Sequence, residues 1–301
     1  MNKKKIEISV ILPVYNGSKY IEESISSILE QSIENFELII LNDGSTDDSL
    51  QKCELFKKRD SRIKVINQSN IGLTKTLNKG IKLSTGTYLA RQDADDISRK
   101  DRFENQLSWI KEKNSRVLCG TNTTIIDKDG KEKKNKIISF KHKNIIEKFE
   151  YTNCIAHSSA LFLKSAAEEV GNYDENLTYS QDYDLWWKLS TIGEIGNLKE
   201  KLVILRETID SISHKKSSDQ FKDFINSALK YFAIKNNING VKLSSNIEHI
   251  INLKEIQNQK KILEFLYNDK IKNETYFNDL NLKQKFLSLK YFTLYLRKIL
   301  K

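Results

Sequence analysis

Residues 87–96 of this chain read Thr-Tyr-Leu-Ala-Arg-Gln-Asp-Ala-Asp-Asp, an apolar run followed by three carboxylates within four residues. The run predicts a short buried strand that ends at the acids, and open α/β sheets bind ligands at the carboxyl ends of their strands. Carboxylates that converge there repel one another unless a cation neutralises them, and oxygen ligands suit Mg²⁺ or Mn²⁺. The pattern therefore predicts a divalent cation that holds a phosphorylated ligand. It fits equally a solvated acidic loop in which Asp96 or Ser98 caps a helix that begins near Arg99.

Three strand–helix units precede this stretch. The expected strands cover residues 6–14, 36–41 and 62–67, and the expected helices cover 20–31, 48–58 and 73–83. Four such units in succession predict right-handed crossovers and a Rossmann-like, mainly parallel α/β sheet with helices on both faces. Asp43 follows the second strand, so we expect it at the same edge as the acids. The turn after the first strand holds a single glycine, Gly17, and not the GxGxxG pattern of a dinucleotide-binding fold.

The composition predicts a globular, cytoplasmic protein. Of 301 residues, 39% are hydrophobic, which is enough for a sizeable core. The three cysteines, Cys53, Cys119 and Cys154, are odd in number and widely spaced, so they favour a reducing compartment over a disulfide framework or a zinc site. No apolar stretch approaches the length of a membrane span, and no signal-peptide pattern follows Met1.

The net charge of +10 is concentrated at the C-terminal end, where residues 215–301 hold seventeen Lys and Arg against eight Asp and Glu. Such a basic segment favours an anionic membrane surface or an acidic substrate. Nucleic acid is not expected as a partner, because no zinc-finger spacing, RNP-type strand or helix-turn-helix pattern accompanies the charge.

The second half of the chain predicts shorter elements. They are a helix from Asp101 to about residue 113, strands at 117–119 and 123–126, a turn at Asp129-Gly130, a helical piece at 145–150 and one strand at 154–163. His157 lies at the polar start of that last strand, where it would contact an acceptor or a phosphate; a hydrogen-bonded histidine with no such role fits equally.

Three spaced motifs carry a family resemblance: Val10-Ile11-Leu12-Pro13-Val14-Tyr15-Asn16, Asn42-Asp43-Gly44-Ser45 and Asp93-Ala94-Asp95-Asp96. Over residues 6–206 the chain resembles the family 2 glycosyltransferases of the GT-A fold, which are inverting and nucleotide-sugar dependent. The resemblance implies a catalytic domain over residues 1–214. Beyond it, the charge and the apolar spacing predict a basic, mostly helical region over 215–301, with helices in 217–232, 247–256 and 282–301. The resemblance also implies a nucleotide-sugar donor, expected to be a UDP-sugar, and a hydroxyl acceptor on a glycan or lipid-linked saccharide of bacterial surface polysaccharide synthesis.

The resemblance assigns the donor site by position. Asp95 would ligate a cation, Mn²⁺ or Mg²⁺, that bridges the two phosphates, and Asp93 would lie near the ribose and the cation. Asp43 would accept a hydrogen bond from the uracil ring, with Asn42 standing where the family often has a second aspartate. The other implied donor-site residues are Pro13, Val14, Tyr15, Arg91 and Ala94.

The segment from Ser180 to Leu189 resembles the family's catalytic-base motif, with Asp182 at the base position and Gln181 where many relatives have glutamate. Leu185, Trp186 and Leu189 recur there at helical spacing, so the acid could also simply cap a helix. Gln181 and Trp186, together with His157, are expected to contact the acceptor or a phosphate. A single displacement with Asp182 as general base would invert the anomeric configuration.

Two other functions fit parts of the pattern. A sugar-1-phosphate nucleotidyltransferase also uses a metal and an α/β nucleotide site, but it normally has a glycine-rich, basic loop where this chain has Tyr15-Asn16-Gly17-Ser18. A non-catalytic glycan-binding module leaves unexplained why acids recur at three predicted ligand-facing positions.

Residues 282–301 hold six Lys or Arg and no acid, beside an apolar stripe at helical spacing. This pattern predicts an amphipathic basic helix on an anionic membrane, at the inner face of the plasma membrane. It is equally typical of a helix that packs on the catalytic domain or on a second subunit.

Overall fold

The computed structural model describes residues 5–133, 141–149, 152–207 and residue 227. Its helices are α1 Ile21–Leu29, α2 Ser49–Arg59, α3 Leu73–Leu83, α4 Arg102–Lys111, α5 His142–Phe149, α6 Lys164–Glu169 and α7 Gln181–Ile192. Its strands are β1 Ile8–Val14, β2 Phe36–Asp43, β3 Ile63–Gln68, β4 Tyr88–Arg91, β5 Ile97–Ser98, β6 Arg116–Ile126, β7 Leu161–Leu163 and β8 Glu194–Arg206.

These strands form one sheet in the order β3-β2-β1-β4-β7-β6-β8-β5. The α/β class is confirmed, and β3, β2, β1 and β4 are parallel as the four strand–helix units predict. The rest of the sheet is mixed, because β7 is antiparallel to β4 and β6, and β5 is antiparallel to β8, while β6 and β8 are parallel. β7 begins where β4 ends, with Leu161 opposite Ala90, so it must run back from the ligand-binding edge.

Helices cover both faces of the sheet, as expected. One apolar cluster packs α3, α5, α6 and α7 against the sheet, and a second packs α1, α2 and α4 against the other face. Alternate residues of β1 divide between them: Ile11 points into the first cluster, and Val10 and Leu12 point into the second. Trp186 is the largest fully buried side chain, and it anchors α7 in the first cluster.

Two expected elements are wrong. Residues 116–126 form one strand and not two, because the pairing with β8 shifts register on both sides of Asn122 and keeps this polar part in the sheet. Residues 154–163 do not form one strand: a 3₁₀ turn at His157–Ser159 precedes the three residues of β7. Ser159 favours the turn, since its hydroxyl and its N–H both donate to the carbonyl of Ala156, at 2.8 and 2.9 Å.

Apart from residue 227, the helices expected in residues 217–232, 247–256 and 282–301, and the domain boundary expected after residue 214, lie outside the described residues. In the part of the chain that is described, no helix has the length and apolar character needed to cross a membrane.

Candidate functional site

The loops after β1 and β2 are hydrogen bonded to each other at the carboxyl edge of the parallel strands. Asn16 adopts a φ of 51°, and its side-chain carbonyl accepts the N–H of Thr46 at 2.8 Å. Three successive N–H groups of the first loop donate to side chains of the second: Asn16 to Ser45, Gly17 to Ser49 and Ser18 to Asp47. The two loops therefore form one ordered rim.

Of the residues implied for the donor site, Tyr15 lies on this rim, and Pro13 and Val14 lie in the strand that leads into it. Pro13 and Val14 are buried in β1, whereas the Tyr15 side chain is 56% exposed. Gly17 approaches two of its neighbours closely, because a Cβ there would lie 3.0 Å from Val14 Cγ2 and 3.2 Å from Ala94 Cβ. The structure thus brings Val14 and Ala94 together around Gly17, and the ring of Tyr15, which follows Val14, is exposed.

Asp43 binds the loop that leads into α3, a role that the sequence interpretation missed. Its Oδ1 accepts the Gln68 side-chain amide at 2.8 Å and the N–H of Ile71 at 2.9 Å, and its Oδ2 accepts the N–H of Gly72 at 3.0 Å. Gly72 has a φ of 87°, which glycine adopts without steric cost. Oδ2 carries one donor against two on Oδ1, so Oδ2 keeps the greater capacity to accept another hydrogen bond.

Asp93 is fixed at the end of β4 by two neighbours. Arg91 Nη2 lies 2.5 Å from Asp93 Oδ1, and the Ser158 hydroxyl donates to Oδ2 at 2.6 Å. The N–H of Asp93 donates back to Ser158 Oγ at 2.9 Å. Burial acts to raise the pKa of Asp93, but the charge of Arg91 and the hydrogen bonds from Ser158 and Arg91 hold that pKa below its usual value. Asp93 is therefore an ionised and oriented carboxylate.

Asp95 and Asp96 have the opposite electrostatics. Burial, together with the charge of Asp93, raises the pKa of the half-buried Asp95 to about 6. Asp96 is buried and accepts the N–H of Arg206 at 2.9 Å, and its pKa is raised well above its usual value by burial and by the other two acids. Asp96 and Ser98 do not cap α4, since this helix begins at Arg102 and residues 97–98 pair with β8.

The side chains of Asp93 and Asp95 suit a divalent cation that is shared with a ligand. Among the described residues, no group of three or more His, Cys, Asp or Glu side chains could enclose a metal. Mg²⁺ typically takes one or two carboxylates, with phosphate oxygens and water in its other positions. Burial and the charge of Asp93 raise the pKa of Asp95, and a bound cation would oppose both effects, so the donor set fits such an ion.

Arg102 is a fully buried cation behind residues 92–96, which we call the acid loop. The sequence interpretation placed Arg102 only at a helix start. Its five N–H donors reach Gln106 Oε1 (3.0 Å), Gln92 Oε1 (3.0 Å), Ser98 Oγ (2.8 Å) and the carbonyls of Arg91 (3.0 Å) and Ala160 (3.2 Å). Gln92 in turn donates to the carbonyl of Asp96 at 2.7 Å. Arg102 therefore holds both ends of the acid loop. The available signal was its spacing from Gln106, which puts both on the buried side of α4.

Asp182 lies at the start of α7, as predicted. Asn153 Nδ2 donates to Asp182 Oδ2 at 2.7 Å. Burial raises the pKa of Asp182 to about 6, and hydrogen bonds from Tyr183 N–H and Asn153 act against that rise. The charge of Asp93 also raises the pKa of Asp182, so the acid loop and the start of α7 act on one region of the site. Asp184 is buried and pairs with Lys188 at 3.0 Å.

His157 contacts Tyr173, with 2.9 Å between Nε2 and the hydroxyl oxygen, and packs edge-on against Trp186. Burial and the charge of Arg91 lower the pKa of His157 to about 3, although Asp93 opposes this, so the imidazole is neutral near pH 7. Trp186 is 0% exposed and donates its indole N–H to the Ile155 carbonyl at 3.2 Å. Because it is fully buried, Trp186 cannot contact an acceptor as predicted, and it packs against His157 instead. Gln181 is buried as well.

Solved structures share this fold at low sequence identity. Staphylococcus aureus TarS 1–349 in complex with UDP superposes with a TM-score of 0.61 at 18% identity, covering 93% of this chain and 77% of that one. The mannosyltransferase PcManGT from Pyrobaculum calidifontis, in complex with GDP-Man and Mn²⁺, gives a TM-score of 0.56 at 15% identity, covering 76% of this chain and 64% of that one. These likenesses confirm the GT-A-type fold.

Sequence relatives are closer. A Haemophilus influenzae protein described as an uncharacterized glycosyltransferase is 34% identical over 213 residues, which are 66% of this chain and 65% of the relative. The putative glycosyltransferase EpsE of Bacillus subtilis is 32% identical over 69% of this chain and 76% of its own length. A Rickettsia bellii glycosyltransferase is 31% identical over 73% of this chain, which spans only 31% of that relative.

The sequence model of glycosyl transferase family 2 matches residues 9–171, which include the rim loops, the acid loop, His157 and Asn153. This range is more than half of the chain. The chain belongs to glycosyl transferase family 2.

Proposed function

We propose that this protein is an inverting glycosyltransferase that moves a sugar from a nucleotide-diphosphate sugar, a UDP-sugar, to a hydroxyl of a glycan or lipid-linked acceptor. The observation that carries the proposal is the presence of two acidic centres that act on each other electrostatically. One is the ionised Asp93 beside Asp95, whose pKa is raised to about 6, and the other is Asp182, whose pKa of about 6 is raised in part by the charge of Asp93. Two such centres suit a charged donor on one side and a base on the other.

The donor class is supported from two directions. The ordered rim of the loops after β1 and β2 leaves the ring of Tyr15 exposed beside Asp43, an arrangement suited to a planar base. TarS, which shares the fold, has been solved with UDP and with UDP-GlcNAc, which favours a uridine nucleotide over the GDP-Man of PcManGT.

Asp95, with Asp93, would hold a Mn²⁺ or Mg²⁺ ion against the donor diphosphate. When bound, such an ion neutralises the charge that develops on the leaving nucleoside diphosphate. Arg91 keeps Asp93 ionised and oriented through their 2.5 Å ion pair, so this chain contributes a fixed carboxylate to the site.

Asp182 is proposed as the general base. The acceptor hydroxyl gives its proton to the Asp182 carboxylate as its oxygen bonds to the anomeric carbon. The bond from that carbon to the diphosphate breaks, and its electron pair leaves with the nucleoside diphosphate. A carboxylate with a pKa of about 6 is ionised at pH 7 and still basic enough to assist this transfer. One displacement gives inversion, so an α-linked donor yields a β-linked product.

The acceptor and location are proposed from relatives and from charge. AmsE of Erwinia amylovora, 27% identical over 71% of this chain, is named an amylovoran biosynthesis glycosyltransferase, which supports a role in polysaccharide synthesis. The basic residues 282–301 support a cytoplasmic protein held peripherally at the inner face of the plasma membrane.

A donor screen tests the proposal. The purified chain is incubated with UDP-sugars and GDP-sugars in Mn²⁺, Mg²⁺ or EDTA, and the released nucleoside diphosphate is measured. We expect metal-dependent release of UDP. NMR of the product should show that its anomeric configuration is inverted relative to that of the donor sugar. Pyrophosphate release from a nucleoside triphosphate and a sugar 1-phosphate would instead identify a nucleotidyltransferase. Acceptor binding with no release from any donor would identify a binding module.

A further inference from the structure

We propose that Asn153 is a positioning residue that orients the Asp182 carboxylate for proton abstraction from the acceptor. The inference rests on the proposed role of Asp182 as general base, and it assigns a function to a residue that the sequence motifs did not single out.

The amide of Asn153 has a defined orientation. Its Oδ1 accepts the N–H of Ile155 at 3.1 Å, so its Nδ2 is the group that faces Asp182, and it donates to Oδ2 there at 2.7 Å. An amide with its acceptor bound to a backbone N–H has only donors left to offer a carboxylate. The residue therefore presents a fixed N–H group to one oxygen of Asp182.

The segment that carries Asn153 is attached to α7 at a second point. Trp186 donates its indole N–H to the carbonyl of Ile155 at 3.2 Å. Asp182 and Trp186 are four residues apart on α7 and so lie on the same side of the helix. The two hydrogen bonds hold residues 153–155 against one face of α7. Because Trp186 is fully buried, it fixes the distance between this segment and the helix.

This attachment has a chemical consequence for Asp182. With Oδ2 held by Asn153, we infer that Oδ1 takes the acceptor proton, so the carboxylate meets the hydroxyl in one orientation. Three other groups act on Asp182: the charge of Asp93 from the acid loop, the N–H of Tyr183 from α7, and Tyr173, whose own pKa Asp182 raises. Asn153 and Tyr183 N–H oppose the effects of burial and of Asp93, so they keep the carboxylate charged.

Two variants separate this role from a purely structural one. Asn153→Leu removes the donor and the turn acceptor together. Asn153→Asp keeps an acceptor for Ile155 N–H but places a second carboxylate against Asp182. A structural role predicts that the Asp variant is closer to the wild type, whereas positioning of the base predicts that it is worse than the Leu variant.

The readout is the pH dependence of kcat/KM for donor transfer, measured from pH 5 to 8 at saturating acceptor. We expect the acidic limb to move up by about one pH unit in Asn153→Leu and further in Asn153→Asp. At pH 6, kcat should fall about fivefold in Asn153→Leu and further in Asn153→Asp, with the donor KM within about twofold of wild type. Asn105→Leu is the matched control, because Asn105 is also half-buried and its amide donates to a backbone carbonyl, that of Asp101 at 2.7 Å.

A second measurement does not depend on activity. The pKa of Asp182 is followed by NMR of 13C-labelled aspartate in wild type and in both variants, with Asp182→Asn assigning the resonance. An upward shift in the order wild type, Leu, Asp supports the proposal. The proposal is overturned if the Asp182 pKa is unchanged in both folded variants. It is also overturned if the acidic limb of the kcat/KM profile of Asn153→Asp has the wild-type midpoint. Wild-type turnover in Asp182→Asn would instead overturn the proposed function.

Discussion

Arg91 and Asp93 form an ion pair in which the cation is fully buried and the acid is partly exposed. Nη2 lies 2.5 Å from Oδ1, with the Arg91 side chain 1% exposed and the Asp93 side chain 38% exposed. The buried guanidinium fixes Asp93, and burial together with the charge of Asp93 raises the pKa of Asp95 to about 6. The acid loop is therefore asymmetric: one carboxylate is already neutralised by the protein, and the next carries a repulsion that a ligand relieves.

This asymmetry predicts that Asp95→Ala abolishes metal-dependent donor binding. Without that carboxylate, the diphosphate charge lacks its counter-ion site. Isothermal titration of UDP in Mn²⁺ should show no heat above that measured in EDTA. Asp101→Ala is the control, because Asp101 is an exposed acid that pairs with Arg99. Wild-type affinity in Asp95→Ala would remove Asp95 from the metal site.

Asp182→Asn should bind the donor normally and lose turnover by roughly 10²–10⁴-fold, the usual contribution of a general base. The substitution is isosteric, so the thermal melting curve should stay close to wild type. Asp184→Asn serves as a comparison, since Asp184 is buried and pairs with Lys188. We expect it to lower stability more than turnover at saturating donor. A reversed pattern would transfer the base role to Asp184.

The acidic limb of the rate profile should come from Asp182 and not from His157. A base must be ionised, so kcat/KM should hold above the Asp182 pKa of about 6 and fall about tenfold per pH unit below it. His157, with a pKa lowered to about 3, stays neutral across this range. His157→Gln is therefore expected to leave the midpoint of the limb in place. If the acidic limb of the kcat/KM profile disappears in His157→Gln, the titrating group is the imidazole of His157.

Arg102→Met should lower the free energy of unfolding by at least about 3 kcal/mol, because it leaves several buried acceptors without their donor. Urea denaturation followed by circular dichroism measures the loss. Arg99→Met is the control, since the Arg99 side chain is 51% exposed and should contribute little. Equal losses in the two variants would show that the buried network does not stabilise the fold.

The basic C-terminal segment predicts binding to anionic membranes. Co-sedimentation with phosphatidylserine-containing liposomes should be strong for the full chain and weak after truncation at Asn281, which removes six Lys or Arg. Binding should fall as salt rises. If the two forms sediment equally, the segment is not a membrane anchor.

The local elements of the first half could be read from the sequence, because each strand and helix there has its own periodicity. Helix α3 was expected at 73–83 and occupies Leu73–Leu83. The antiparallel β7 could not be read in the same way, since three residues carry no period and its direction depends on where β4 ends.

The motifs single out individual acids whose roles stay predictions, but they do not indicate the groups that orient these acids. Asp43, Asp93, Asp95 and Asp182 all lie in the described site. The groups that orient them come from distant parts of the chain: Ser158 is 65 residues from Asp93, and Asn153 is 29 residues from Asp182. The role of Arg102 likewise depends on its hydrogen bonds to Gln92 and Ala160, and no helical pattern in the sequence indicates these contacts.

The hydrogen bonds that join residues 16–18 to the loop after β2 also affect the thermodynamics of ligand binding. Fixing the backbone of one residue costs about 1–2 kcal/mol of conformational entropy. In this chain that cost is met when the protein folds and not when a nucleotide arrives. The binding free energy of the base and ribose is therefore offset little by loop ordering, and more of it remains to hold the sugar in a reactive geometry.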